Sequence, residues 1–195
     1  EYFDGGYLLT GYRIGPPSLD KGFLIRTDAE GNELWRRFYG NRADVNGAVR
    51  VAPDGSIFTW SEYRDPQWPS LWQQMMLSKW DQEGNLVWQR KVNYNRFVGT
   101  YDLELLDDGS MVATGTAFLQ GVLIKFSAEG DSLWSRGYSY TNDIHKFFDV
   151  EPTSDGGFVC TGAADRYFPL DPQYQTSQMI WVVKTDSLGC VVPGC

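Results

Sequence analysis

Apolar and polar residues alternate along this chain in short runs, and each run is closed by a turn signal. Ala48-Val49-Arg50-Val51-Ala52 leads into Asp54-Gly55, and Ser56-Ile57-Phe58-Thr59-Trp60 leads away from it. Runs of this kind read as strands, and Asp-Gly between them reads as a tight hairpin. Glycine accepts positive φ there, and aspartate bonds back to the turn amides. The same pattern occurs four times, at Asp4-Gly5-Gly6-Tyr7, Asp54-Gly55-Ser56-Ile57, Asp108-Gly109-Ser110-Met111 and Asp155-Gly156-Gly157-Phe158. The leading aspartates are spaced by 50, 54 and 47 residues. A strand-like repeat of that period predicts a propeller or another repeat array.

A second motif runs half a repeat out of phase. Leu24-Ile25-Arg26-Thr27-Asp28-Ala29-Glu30-Gly31 matches Leu77-Ser78-Lys79-Trp80-Asp81-Gln82-Glu83-Gly84 and Leu123-Ile124-Lys125-Phe126-Ser127-Ala128-Glu129-Gly130. Val182-Val183-Lys184-Thr185-Asp186-Ser187-Leu188-Gly189 is the fourth copy. The Asp-x-x-Gly element predicts a slightly longer hairpin loop. Trp35, Trp88 and Trp134 follow four residues after the loop glycine, where the fourth copy has Pro193. Tyr39, Val92 and Tyr138 share that side of the strand, and Leu34, Val87 and Leu133 fall opposite. A sheet apolar on both faces has to be sandwiched. The expectation is therefore an all-β fold, a β-propeller of about four four-stranded antiparallel blades. The divisions are a partial blade at 1–46, blades at 47–99, 100–144 and 145–189, and a tail at 190–195.

The Asp, Gly and following Trp resemble the tryptophan-docking repeats of quinoprotein dehydrogenases and of the outer-membrane assembly lipoprotein that shares their propeller. This chain has one residue fewer between the Asp and the Gly. The resemblance concerns the scaffold, and it implies a propeller of seven or eight blades, of which this chain holds about four. The first copy lacks the strand that precedes its turn in the others, so the chain reads as part of a longer polypeptide. Its end, Lys184-Thr185-Asp186-Ser187-Leu188-Gly189-Cys190-Val191-Val192-Pro193-Gly194-Cys195, resembles the close of repeat regions in secreted Bacteroidetes proteins, just ahead of a type IX secretion sorting domain. The sorting domain itself is absent from this sequence. That likeness implies an extracellular or cell-surface location, with secretion-system components among the partners.

Composition narrows the partners. Net charge is −8 with a pI near 4.6 and no basic run, which disfavours nucleic acid and anionic membrane surfaces. No stretch reaches the 18 or so apolar residues of a membrane span. With 42% hydrophobic residues in 195, the chain can bury a sizeable core. Cys190 and Cys195 bracket a Pro-Gly turn and are spaced for a disulfide, with free thiols or a metal pair as the alternatives. Cys160 takes the position of Leu9, Thr59 and Ala113 and reads as a buried, inert thiol.

Chemistry is sparse. His145 is the sole imidazole, and no Gly-x-Ser-x-Gly element, phosphate-cradling loop or zinc motif accompanies it. The acids at 28–33 and 81–85 lack the alternating ligands of a calcium loop and read as hairpin-shaping residues. No catalytic residue, metal ligand or cofactor is expected. Length variation instead gathers in the segments 12–21, 62–74, 116–120 and 165–178, all predicted on the face opposite the plain turns. Function on repeat scaffolds tends to sit on such insertions. Two of them are rich in rings and proline, giving Arg64, Trp68, Trp72, Tyr167, Phe168 and Tyr174 as candidate ligand-binding residues. The competing reading is that these rings fold down over the blade ends. The leading expectation is a non-catalytic binding or scaffold propeller for protein or glycan. The alternative is a propeller enzyme, quinoprotein-like or polysaccharide-cleaving, whose catalytic residues lie mostly outside this chain.

Overall fold

A computed structural model describes residues 5–13, 21–39, 46–64, 73–92, 98–167 and 176–191. Two compact units divide the chain, Glu1–Thr100 and Tyr101–Cys195. The first unit holds a three-stranded sheet, β1 (Leu8–Arg13), β2 (Lys21–Thr27) and β3 (Glu33–Tyr39). It also holds a four-stranded one, β4 (Asn46–Val51), β5 (Ile57–Arg64), β6 (Gln73–Trp80) and β7 (Leu86–Val92). The boundary falls within β8 (Val98–Leu105), which forms a sheet with β9 (Met111–Ala117), β10 (Gln120–Phe126) and β11 (Ser132–Tyr138) of the second unit; β12 (His145–Pro152), β13 (Phe158–Tyr167) and β14 (Thr176–Thr185) form the last sheet. Every sheet is a meander in chain order with antiparallel neighbours. Among the described residues there is no helix.

Among the described residues two sheets thus have four strands and two have three; the first sheet is the partial blade expected at 1–46, and the last has three strands where four were expected. In the last sheet the loop that should launch the fourth strand is complete: Gly189 N donates to Asp186 O at 3.1 Å and Asp186 N to Cys190 O at 2.9 Å. Residues 192–195 lie outside the described residues.

The two hairpin signals make one kind of loop. In the first kind, Gly55 N donates to Ala52 O at 2.9 Å and Ala52 N to Ser56 O at 2.8 Å. In the second, Gly84 N donates to Asp81 O at 3.0 Å and Asp81 N to Asn85 O at 2.9 Å. Both are a turn followed by a left-handed glycine, φ 83° at Gly55 and 76° at Gly84, the three-residue hairpin with a bulge. Asp-x-x-Gly is therefore no longer than Asp-Gly. What differs is which corner the carboxylate caps: Asp54 accepts from Ser56 N at 2.8 Å, and Asp81 from Asn85 N at 2.7 Å.

These carboxylates set an acid limit. Asp28 and Asp81 are held below the ordinary range, most of all by the Asn32 and Asn85 side chains. The Ser56 amide does the same for Asp54, the Ser110 side chain for Asp108, and Lys184 for Asp155. Lys184 Nζ lies 2.8 Å from Asp155 Oδ2. Depressed values in the folded state mean that this stabilisation is whole above the unfolded value, about 4, and is lost as pH falls through the folded values. Urea midpoints are expected to stay level from pH 7 to about 5 and to drop below about pH 4.

Within each unit the sheets are joined by the recurrent tryptophan. Trp35 packs on the Leu24, Ile57 and Trp80 cluster, and its ring edge lies 2.9 Å from where a Cβ on Gly84 would stand. Arg37 stacks on that ring, 5.3 Å from its centroid, and donates to Glu83 O at 2.8 Å. In the second unit Trp134 packs on the cluster of Leu123, Phe147, Val150, Phe158 and Cys160. Its ring comes 3.0 Å from a Cβ placed on Gly189, while Arg136 reaches Leu188 O at 3.3 Å. Tyr138 Oη completes the set by donating to Gly189 O at 2.7 Å. The indole, the arginine and the loop glycine of the following sheet form one joint, repeated.

The opposite side of those outer strands departs from expectation. Leu34, Val87 and Leu133 are each more than half exposed. Recurrence of an apolar residue at this position therefore does not mark burial, and Leu34 lies on the same face of the first sheet as Phe23, Ile25, Arg36 and Phe38.

Candidate functional site

In the second unit, one end of the sheets carries the Asp-Gly and Asp-x-x-Gly hairpins. The other end carries the β9–β10 turn, the β11–β12 link and the β13–β14 hairpin that leads into the ring-rich insertion. At this loop end His145, fully buried, organises the backbone. Its Nε2 accepts from the amides of Tyr140 at 3.0 Å and Thr141 at 3.3 Å, which fixes the tautomer with the proton on Nδ1. Nδ1 in turn donates to Asp143 O at 2.8 Å. His145 N donates to Leu119 O at 2.9 Å, and Asp165 N to Ile144 O at 2.8 Å. The ring meets Trp181 edge-on with centroids 4.8 Å apart, and Trp181 stacks on Phe147 at 4.6 Å. The imidazole thereby braces the β11–β12 link, and the backbone amide of the same residue ties that link to the β9–β10 turn.

Four large apolar side chains stand exposed around this anchor: Phe118, Leu119, Tyr140 and Ile144. Phe118 is the lone non-glycine residue with positive φ among the described residues, at 59°. Ala117 pairs with Gln120, so Phe118 and Leu119 are the two central residues of a tight turn whose first position favours glycine. A phenylalanine held there keeps an aromatic ring out in solvent against its own backbone preference, and strain of this sort gathers at functional sites. Phe118→Gly is expected to raise stability by about 0.5–1 kcal/mol, the left-handed strain outweighing the entropy cost of glycine. Thermal unfolding of the variant checks this.

The segment 116–120 was among the variable segments, but its exposed ring was not picked out, and Tyr140 and Ile144 fall in a link that gave no signal. Of the sequence-derived candidates, Arg64 and Tyr167 end β5 and β13, paired with Gln73 and Thr176 on the last rung of their hairpins. They occupy equivalent stems in different units. Trp68, Trp72, Phe168 and Tyr174 lie outside the described residues. At the base of the first stem, Lys91 Nζ sits 4.2 Å from the Tyr63 ring centroid, a cation–π contact that holds the hairpin.

Among the described residues, the imidazole and the cysteine thiols are engaged or buried. Both ring nitrogens of His145 are engaged by backbone groups, so its lone pair is not free to take a substrate proton. The Cys160 thiol is free of any disulfide and buried, and burial first, then Asp149 and Asp102, push its pKa up to about 12. Burial likewise raises Tyr138. Cys190 is disulfide-bonded; its expected partner Cys195 lies outside the described residues. No group of three or more His, Cys, Asp and Glu side chains among the described residues is arranged to hold a metal.

No protein-family profile matches the chain, and no curated protein matches it. Solved structures do. The chain is similar to a protein of unknown function from Dyadobacter fermentans, at TM-score 0.57 and 13% identity over 91% of this chain and 52% of that one. It is similar to a gluconolactonase from Xanthomonas campestris, at TM-score 0.51 and 15% identity over 94% of this chain and 56% of that one. A protein of unknown function from Bacteroides caccae aligns at TM-score 0.44 and 13% identity, over 96% and 81% of the two chains. The chain spans about half the length of the first two structures. Likeness at such identities speaks for the fold alone, and together with the four repeated meander sheets it makes the chain a β-propeller of tryptophan-jointed repeats.

Proposed function

We propose that this chain is half of a seven- or eight-bladed propeller that works as a non-catalytic binding module, secreted or held at the cell surface. It recognises a protein or glycan through the loop end of its blades. The observation that carries the reading is the exposed group of Phe118, Leu119, Tyr140 and Ile144, with a strained backbone at Phe118 and a buried, fully engaged histidine beneath. An apolar and aromatic cluster on a rigid base is what a protein contact uses as its anchor. The ring-rich insertions bearing Trp68, Trp72, Phe168 and Tyr174 extend the same recognition chemistry toward sugars. The engagement of His145 and the raised pKa of Cys160 support a non-catalytic role for the groups best suited to chemistry. Location rests on the likeness of the chain's end to secreted repeat proteins of the type IX route.

The test is binding on a glycan array and a protein array, repeated with Phe118→Ser and with the Trp68→Ala, Trp72→Ala pair. A tenfold or greater loss of a specific signal, with the unfolding midpoint unchanged, supports the reading. A signal untouched by all of these substitutions, or a quinone absorbance in the intact protein, overturns it. Antibody labelling of intact source cells tests the location separately.

A further inference from the structure

The tryptophan joint is filled in both units where the following sheet lies within the same unit, and on the first sheet it is vacant. Gly84 and Gly189 each receive the indole of the preceding sheet, whereas Gly31, with the same left-handed backbone at φ 87°, has nothing among the described residues within 4 Å of a would-be Cβ. The face around Gly31 is bare as well. Tyr7 and Leu9 are 49% and 46% exposed, although their counterparts Ile57 and Phe158, and Thr59 and Cys160, are buried. A hollow of about 350 Å³ opens on this side, lined by Tyr12, Phe23, Ile25 and Phe38 together with Arg13 and Arg36.

We propose that this face is the docking site for one further repeat of the same polypeptide, lying outside these 195 residues. Its outer strand must carry Gly-x-x-x-Trp-x-Arg. The indole closes over Gly31 and the guanidinium takes the carbonyl of Glu30, as Arg37 takes that of Glu83 and Arg136 that of Leu188. The chain's own last sheet is not the donor, because Pro193 stands where that tryptophan would be. The inference rests on the reading of the chain as part of a larger propeller and is independent of what the loop end binds.

Two urea titrations test it. In the 195-residue chain, Gly31→Ala is expected to move the midpoint less than half as far as Gly84→Ala, since only the backbone conformation is penalised. Equal shifts would mean the slot is already filled and would overturn the proposal. In a chain extended by a copy of residues 46–106 joined ahead of Phe3, the Gly31→Ala shift is expected to rise to that of Gly84→Ala. It should fall back when the tryptophan of the copied strand becomes alanine. A shift that stays small in the extended, folded chain overturns the proposal. So does self-association of the 195-residue chain that Leu9→Glu abolishes, which would make a second copy the occupant.

Discussion

Replacing Trp134 with alanine is expected to lower the unfolding free energy by about 3 kcal/mol, whereas Leu133→Ala should cost no more than about 0.5 kcal/mol. The two residues are neighbours on β11 and both are large and apolar, so composition and propensity do not separate them. Their surroundings do. Trp134 is half-buried against Phe158, with ring centroids 6.1 Å apart, and lies over Gly189; Leu133 faces water. The value sits at the low end for a tryptophan because part of the ring stays exposed. The glycine supplies the cross-check. In the native background Gly189→Ala should cost about 2–3 kcal/mol, about 1 for the left-handed backbone and the rest for driving a methyl into the indole and the Arg136 stem. In the Trp134→Ala background the second part vanishes, so the two losses should be markedly less than additive. Equal costs for Trp134→Ala and Leu133→Ala in urea denaturation, or additive costs for Trp134→Ala and Gly189→Ala, would remove the joint from its central place.

That joint also explains why so much of the fold was legible in the residues. A propeller blade is specified locally: each hairpin needs its left-handed glycine, each glycine needs a cap from a nearby carboxylate or hydroxyl, and each outer strand needs its indole. Such requirements recur once per blade, so they surface as a repeat that a single sequence displays. The face assignment was less secure. Leu34, Val87 and Leu133 repeat as faithfully as the tryptophans, yet repetition alone does not tell a buried position from an exposed edge with a recurring apolar residue. Whether another sheet covers the face decides that, and such cover is a property of packing. Nor did the pattern reveal that the recurrent basic residue serves its own sheet at Arg26 of β2 and Lys184 of β14. Lys184 pairs with the turn carboxylate of Asp155, and Arg26 donates to Tyr7 O.

At the loop end the sequence signal was of the opposite kind, a breakdown of the pattern. Unequal lengths at 62–74 and 165–178 pointed to insertions, and their rings stood out as excess over what hairpins need. Phe118, Tyr140 and Ile144 carried no such excess. Phe118 sits in a turn of minimal length, and its significance is a backbone angle that no composition records. Tyr140 and Ile144 matter because the imidazole of His145 holds the link between them in place.

The second large effect follows from that arrangement. His145→Leu, close in volume and apolar, is expected to lower stability by about 3 kcal/mol although it suits a buried site. It strands the amides of Tyr140 and Thr141 and the carbonyl of Asp143 in a region with little water to replace the ring, at about 1–3 kcal/mol for each group left unsatisfied and less where solvent reaches it. The damage should be local before it is global. Amide exchange at Tyr140 and Thr141 should quicken well beyond the change in global stability, while the β9 and β10 amides follow the global value alone. His145→Gln, whose side-chain oxygen can accept from the same amides, should recover part of the loss. Should His145→Leu prove as stable as the native chain and leave those two exchange rates unmoved, the imidazole would have no anchoring role. Its place beneath the exposed cluster would then need a chemical explanation instead, and the non-catalytic reading would lose its footing.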